Sequence, residues 1–507
     1  METTLNTSSS RLARRSSRAV IGSVVKRLRH VVPTLLVSLA LTSCLGGGNG
    51  DIAYVRGINL VTDSPDLELT IDSTADIASM IYGDMTPLLG VHPGSHAVQV
   101  AGLTASNLIT QPTQTYEPFG TPVTENMVNG TDYTVIAYGV VADPQYLVIS
   151  DTDLQNTLPA DYVVYQVIHA APKGPPVLIF ITAPEAGINT PLEIGELSFG
   201  ESTGEKSLVI SIPNGLLNLS ATVSVNVTIE LKDATTGADL IPANTVTVNE
   251  QDRLTFVIAD NIGPGSTPIV LDALDSPTGA AATGMQFANP NDDAELAFAN
   301  VTAGSPAYDI VGGLNLTTTL ATNIGPGDKS GYGDVNAGVA GTIATPVTTP
   351  GHPSFLVSFA SAADQSYTEY AVGPLQYIAG VVLQDDRRSV PTQGEFRFLN
   401  AASTLQYGPA VDIYLNPPSI VFNIDADNSN RPPPNYSAIA FKSSTPYLQV
   451  LPGTYDVYFA NTGTDAIILG PIPLTIVDGQ NTTYVLTDRT NGFLELLPFH
   501  DELPPGE

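Results

Sequence analysis

The chain has one cysteine and no tryptophan in 507 residues, and only 14% of its residues are charged. A single cysteine excludes an intrachain disulfide and any cysteine-based metal site. Basic residues are scarce and unevenly placed. Seven of the 19 (Arg11, Arg14, Arg15, Arg18, Lys26, Arg27 and Arg29) fall in residues 1–43 beside one acid, Glu2. The remainder holds 12 basic against 49 acidic residues, a net of −37. A surface of that sign repels phosphate backbones and excludes nucleic acid as a partner. It suits an acidic exterior in a salty medium better than a dedicated metal function. No Walker loop, zinc spacing, basic patch or paired-carboxylate constellation occurs, and helical periodicity is missing after residue 50. No cofactor is expected.

What is present begins with an export signal. The basic stretch Arg11–Arg29 precedes an apolar run from Val31 to Leu41, broken by Pro33 and small polar residues. That run is shorter than the roughly 20 residues a membrane span needs. It ends in Leu41-Thr42-Ser43-Cys44, which resembles the bacterial lipobox. The resemblance implies cleavage before Cys44, a diacylglyceryl group on its thiol and acylation of the new amino group; several acyl chains hold stably where one does not. Leu45 rather than Asp follows, which by resemblance to the usual sorting rule implies the outer membrane, on its periplasmic or outer face. Residues 1–43 thus read as signal peptide, and 44–50, ending Gly46-Gly47-Gly48-Asn49-Gly50, as lipidated cysteine and flexible tether. The bland alternative is an ordinary signal peptide with an unmodified cysteine.

The 43% hydrophobic content, with 44 Gly and 40 Pro, favours short strands joined by turns. Length suggests about three to five domains. Three landmarks recur four times, about 115–120 residues apart. The first is an opening strand, a turn and a second strand, as in Phe396-Arg397-Phe398-Leu399-Asn400 leading to Val411-Asp412-Ile413-Tyr414-Leu415. Alternation of Val411, Ile413 and Leu415 with Asp412 and Tyr414 marks a strand with one buried face. The second is a tight turn into a strand, clearest at Leu451-Pro452-Gly453-Thr454-Tyr455. The third is a polar turn, a strand, a loop and a closing strand that runs into Asp151, Asp272, Asp385 or Asp501. The expected architecture is all-β: a tandem array of about four immunoglobulin-like antiparallel β-sandwich domains over 51–151, 161–273, 294–386 and 394–501. Tyr133, Tyr367 and Tyr484 follow polar turns and read equally as corner plugs or as half-buried strand aromatics.

These landmarks resemble the bacterial domain-of-unknown-function family 4397, found in tandem in secreted and lipid-anchored proteins. The matching features are the Val-Ile-His-Ala-Ala-Pro opening strand, the Val-Asp-Ile-Tyr-Leu strand, Leu-Pro-Gly-Thr-Tyr and Ala-Asp-Gln-Ser-Tyr-Thr. The resemblance implies an immunoglobulin-like fold and carries no catalytic residues.

Four clusters could carry chemistry. Gly200-Glu201-Ser202-Thr203-Gly204 matches the G-x-S-x-G nucleophile pattern, but no helix pattern follows it. His92 and His96 flank Pro93-Gly94, a turn that gives them no helical reason to converge on a metal. His169 reads as a satisfied strand residue. Asp425 and Asp427 imitate the start of a calcium loop, with Asn430 and Tyr436 where Gly and Glu are wanted. The expected protein is a non-catalytic envelope protein, bound to the membrane through Cys44, acting as spacer or as an adhesion or ligand-binding array with an envelope protein or glycan partner. The alternative is a secreted hydrolase or a calcium-dependent glycan-active protein.

Overall fold

Among the described residues, alternating apolar residues between glycine and proline corners fold into eight sheets, two to a sandwich. The computed structural model describes residues 52–501 except 107–113, 153–157, 160, 210–223, 277–282, 314–315, 349–353, 406–407, 409, 417–432 and 464–465. The only helical pieces among the described residues are two three-residue 3-10 turns, Pro184–Ala186 and Ser403–Leu405. The molecule is all-β, and its four sandwiches repeat one topology.

In each sandwich the opening strand (Ala53–Val61, Tyr162–His169, Asp293–Asn300, Gly394–Asn400) lies inside its sheet. On one side it meets a short strand. On the other it meets the penultimate strand (Thr131–Val140, Arg253–Asp260, Ser366–Val372, Asn481–Asp488), which in turn pairs with the closing strand. The facing sheet is built around the second strand (Leu67–Ile71, Val177–Ala183, Tyr308–Gly312, Val411–Asn416). Pairing is antiparallel except at one place per sandwich. Opening and penultimate strands run parallel, with Arg56 opposite Thr134, Gln166 opposite Thr255, Ala297 opposite Thr368 and Arg397 opposite Thr483. Turn lengths do not reveal this pairing, because most of the domain separates the two strands.

Two devices tie each opening strand to the loops around it, and both recur in all four copies. One is a hydroxyl latch. The Gly57 amide donates to Thr86 Oγ1 at 2.8 Å, and the Thr86 amide donates back to the Gly57 carbonyl at 2.9 Å. Val167 and Thr203, Phe298 and Ser330, and Phe398 and Thr445 repeat the exchange. The other device lies two residues further on. Asn59, Asn300 and Asn400 are buried, and their amides donate to backbone carbonyls of Met80, of Pro306 and Ile324, and of Ile439. In the second copy His169 takes this place, with Nε2 2.9 Å from the Pro175 carbonyl. Burial lowers its pKa, so the neutral ring is favoured.

The opening strands are buried on both faces. Phe396 and Phe398 point into the fourth sandwich, whereas Leu399 packs outward. The outward faces join sandwiches in pairs. Ile58, Leu60 and Ile136 of the first pack on Ile168, Val257 and Leu274 of the second. Ala299, Tyr370 and Val372 of the third pack on Leu399, Val485 and Phe499 of the fourth. Each such aliphatic side chain contributes about 1.5–3 kcal/mol on burial. Val411–Asn416 also departs from one-faced burial: Val411, Ile413 and Leu415 face the core, but Asp412 and Tyr414 are buried as well. Asp412 Oδ1 accepts from the Ala438 amide and from Thr462 Oγ1, both at 2.7 Å.

The latch separates two readings of the Gly200–Gly204 stretch. Thr203→Val removes the hydroxyl that receives the Val167 amide and should cost about 1–2 kcal/mol in urea unfolding. Ser202→Ala should cost clearly less. Equal losses, or none at Thr203, would contradict the latch.

Candidate functional site: a cavity between the sandwich pairs

The loop end of the first pair meets the strand-start end of the second. One joint is the turn Asn261–Thr267 against Asp364 and the connecting segment. Gly263 and Gly265 are required there: a Cβ on Gly265 would stand 1.5 Å from Asp364 Oδ1, and one on Gly263 would stand 2.4 Å from the Asp364 carbonyl. The same turn grips Asp292, whose Oδ1 accepts from Ser266 Oγ at 2.9 Å and whose Oδ2 accepts from the Thr267 amide at 3.0 Å. A second joint places the Arg388 guanidinium 5.4 Å from the Tyr82 ring centre.

Between these joints lies a cavity of about 1340 Å³ with walls from all four sandwiches. The second pair supplies a stiff wall made of a repeated clasp. Arg397, at the start of the fourth sandwich, donates to Asp385 at the end of the third and covers Tyr447 at 4.5 Å. Asp385 Oδ2 also accepts from Tyr332 at 2.8 Å and Thr368 at 2.6 Å. The counterpart is Asp501, which receives Lys329 Nζ at 2.6 Å, Tyr447 at 3.0 Å and Thr483. Burial, joined by the charge of Asp501, pushes the Asp385 carboxyl up against the opposing pull of Arg397. Paired and hydrogen-bonded, these groups meet the conditions under which buried charge is tolerated. Arg387 pairs with Glu295, and Arg388 forks onto Asp386, the shortest contact being 2.9 Å.

The first pair supplies a different wall. Asp272, on the closing strand Ile269–Ser276, is 4% exposed. Its Oδ1 accepts from Gln286 Nε2 at 3.1 Å, and no protein donor reaches Oδ2. Burial pushes its pKa up to about 7, with Gln286 opposing. Tyr82 is held protonated by burial and by the charge of Asp272. Asp84 is raised by burial and then by Asp66; Asp364 is pushed to about 6 by burial, with Asp292 adding.

The residues singled out from sequence do not gather at this cavity as a set. Cys44, Asp425 and Asp427 lie outside the described residues. Ser202 sits in the turn before Lys206–Val209, its Oγ accepting the Gly204 amide at 3.0 Å, with no strand-to-helix elbow. The His96 ring contacts Asp72 Oδ2 at 2.8 Å and the His92 carbonyl at 2.6 Å, so both its nitrogens are engaged. Among the described residues, no three His, Cys, Asp or Glu side chains converge to hold a metal ion. Tyr133 and Tyr367 plug corners, their hydroxyls accepting the amides of Val128 and Ala362; Tyr484 instead packs edge-on against Phe396. Sequence reasoning noted Asp272, Asp385 and Asp501 only as strand-closing acids. It missed Tyr82, Gln286 and Arg388. The adjacent basic pair Arg387-Arg388 in so acidic a chain was the available signal.

The fold defines a protein of tandem immunoglobulin-like β-sandwiches. Residues 53–180 and 294–414 match the model of the family described as Domain of unknown function (DUF4397), each match running through one sandwich into the first two strands of the next. Among solved structures, the Bacillus anthracis TIE protein is similar over 85% of this chain and 75% of its own, at 8% identity and a TM-score of 0.14. A candidate adhesin from Bacteroides ovatus is similar over 46% of this chain and 94% of its own, at 11% identity and a TM-score of 0.13. Scores so low carry no argument. No curated protein matches the chain.

Two outcomes test the cavity walls. The raised pKa of Asp272 means that its contribution to stability is most favourable below pH about 4 and is lost as pH rises through about 7. Asp272→Asn should therefore stabilise the protein near pH 8, by up to about 4 kcal/mol, and change little near pH 4. Urea unfolding at both pH values decides it, and a pH-independent effect would refute the assignment. Gly265→Ala should open the joint, raising the radius of gyration in small-angle scattering while far-ultraviolet circular dichroism stays unchanged. An unchanged radius would mean that Gly265 is not needed for closure.

Proposed function

We propose that the chain is a non-catalytic envelope protein, held in the outer membrane through acylated Cys44, whose four sandwiches act together as one binding body. The observation that carries this reading is the open cavity of about 1340 Å³ formed where the two sandwich pairs meet. A spacer gains length by leaving its modules end to end. Here the apolar outer faces are spent on pairing, and the four sandwiches form one compact unit. Clefts between domains that gather fixed polar groups are among the places where proteins take ligands. Ser202 spends its hydroxyl on a backbone amide within a latch turn, which gives the hydrolase alternative no support.

The anchor is tested apart from the binding body. In cells fed an alkynyl palmitate, the wild-type chain should carry the label and sediment with membranes. Cys44→Ser should lose the label and leave the membrane fraction. A labelled or membrane-bound serine variant would overturn the anchoring. Capture of an envelope protein or glycan by the purified chain tests binding, and failure to capture either would return the spacer reading.

A further inference from the structure

We propose that the joint between the sandwich pairs is a pH-sensitive hinge: a neutral Asp364 lets the turn Asn261–Thr267 seat, and its ionisation loosens that contact and widens the mouth of the cavity. The inference goes beyond the binding reading and does not depend on what the cavity takes.

The contact leaves no slack. Glycine stands at both points where the turn crosses Asp364, because a Cβ on Gly265 would fall on the carboxylate and one on Gly263 on the carbonyl. Asp364 is 5% exposed, and neither of its carboxylate oxygens accepts a hydrogen bond. The Asn261 amide and the Gly265 N–H are near enough to favour the charged form, but the Asn261 amide is spent on the Thr267 carbonyl at 2.9 Å. The turn brings no titratable side chain of its own. The connecting segment brings two. Asp293 is exposed, and the Asn336 amide donates to it at 3.2 Å. Asp292 is buried and enters the same small space: the Cβ position over Gly265 that lies 1.5 Å from Asp364 Oδ1 lies 2.8 Å from Asp292 Oδ2.

Asp292 holds two donors there, Ser266 Oγ and the Thr267 amide, and Asp364 holds none. Of two carboxyls in one sealed space, the one without donors takes the proton. Burial, with the charge of Asp292 adding to it, raises the Asp364 pKa to about 6. Once the joint opens, water reaches Asp364 and returns it to an ordinary carboxylate near about 4. Closing therefore takes up a proton. Closure is most favoured below pH about 4, and that advantage is lost as pH rises through about 6.

The second joint has the same sign. Glu395 is 2% exposed; burial raises its pKa, and the charges of Asp386 and, from the first sandwich, Asp66 add to it against Arg388 and the Gln449 amide. What ties the pairs together does not depend on Asp364: the turn keeps its two bonds to Asp292, and Arg388 keeps its place over Tyr82. These contacts are the pivot, and Asp364 is the contact that lets go.

The test is amide hydrogen exchange of the full-length chain in detergent at pH 5 and pH 8. It is read by mass spectrometry on residues 261–267 and corrected for the intrinsic pH dependence of exchange. In the wild type the corrected exchange of that segment should be roughly tenfold faster at pH 8 than at pH 5. Asp364→Asn should keep the pH 5 protection at pH 8, and Asp364→Ser, smaller and equally neutral, should do the same. The strand Ser224–Asp233 serves as the internal reference and should not change. Equal corrected rates at the two pH values in the wild type would overturn the hinge. So would an undiminished pH dependence in both neutral variants, which would assign the effect to general repulsion among acids, or loss of protection at both pH values in both variants.

Discussion

Each opening strand lies inside its sheet with its own sandwich core on one face and a neighbouring sandwich on the other. A strand so placed has no solvent to satisfy its backbone or side chains, and every polar group needs a fixed partner. The four-fold latch and the amide that follows it are the answer the chain repeats. The outward arginines follow from the same constraint. Arg56 is 2% exposed and donates to Thr134 Oγ1 at 2.9 Å in its own sandwich and to Thr255 Oγ1 at 3.2 Å in the next. Arg397 holds Thr483 and Asp385 in the corresponding way. Pairing of sandwiches is thus built from the same strand that organises each sandwich, and the cavity is what remains where two finished pairs abut.

That constraint also explains which parts of the structure could be read from sequence. Alternation between turn residues suffices for an all-β fold of repeated sandwiches, because one face of every strand must be apolar. It says little about what covers the other face. Ile58 and Leu60 belong to the inter-sandwich contact, while Val55 and Val61 belong to the core. All four stand in one strand, Ala53–Val61, and nothing in its sequence marks where its purpose changes. Asp412 and Tyr414 illustrate the converse. They read as solvent-facing positions, yet both are buried, the aspartate because two donors from neighbouring strands meet it. The parallel pairing was illegible because it joins segments about 80 residues apart in most copies, such as Arg56 with Thr134. The Gly-x-Ser-x-Gly coincidence lies beside the latch and not in it: Thr203 makes the latch with Val167, while Ser202, one residue earlier, only accepts the Gly204 amide.

The cavity was legible in fragments. Acids at strand ends and the Arg387-Arg388 pair are visible in the sequence, but their partners come from other repeats. Asp385 needs Arg397 from the next sandwich, and Arg388 needs Tyr82 from the first. Only a folded chain reveals that some of these acids are matched and others are not.

Three buried carboxylates make the difference concrete. Asp385 sits in the clasp with an arginine, a tyrosine and a threonine, and joins two sandwiches. Glu369 faces the interior of the third sandwich with the Thr342 hydroxyl on Oε2; burial pushes its pKa up to about 7, so near neutrality much of its population is uncharged and the desolvation cost is partly avoided. Asp272 has the same raised pKa, with only the Gln286 side-chain amide on one oxygen and the other oxygen sealed from solvent without a protein donor. Protonation is how a sealed carboxyl escapes its burial. Asp272 takes the same route as Glu369: near neutrality much of its population is uncharged, and the cost of burying it is partly avoided.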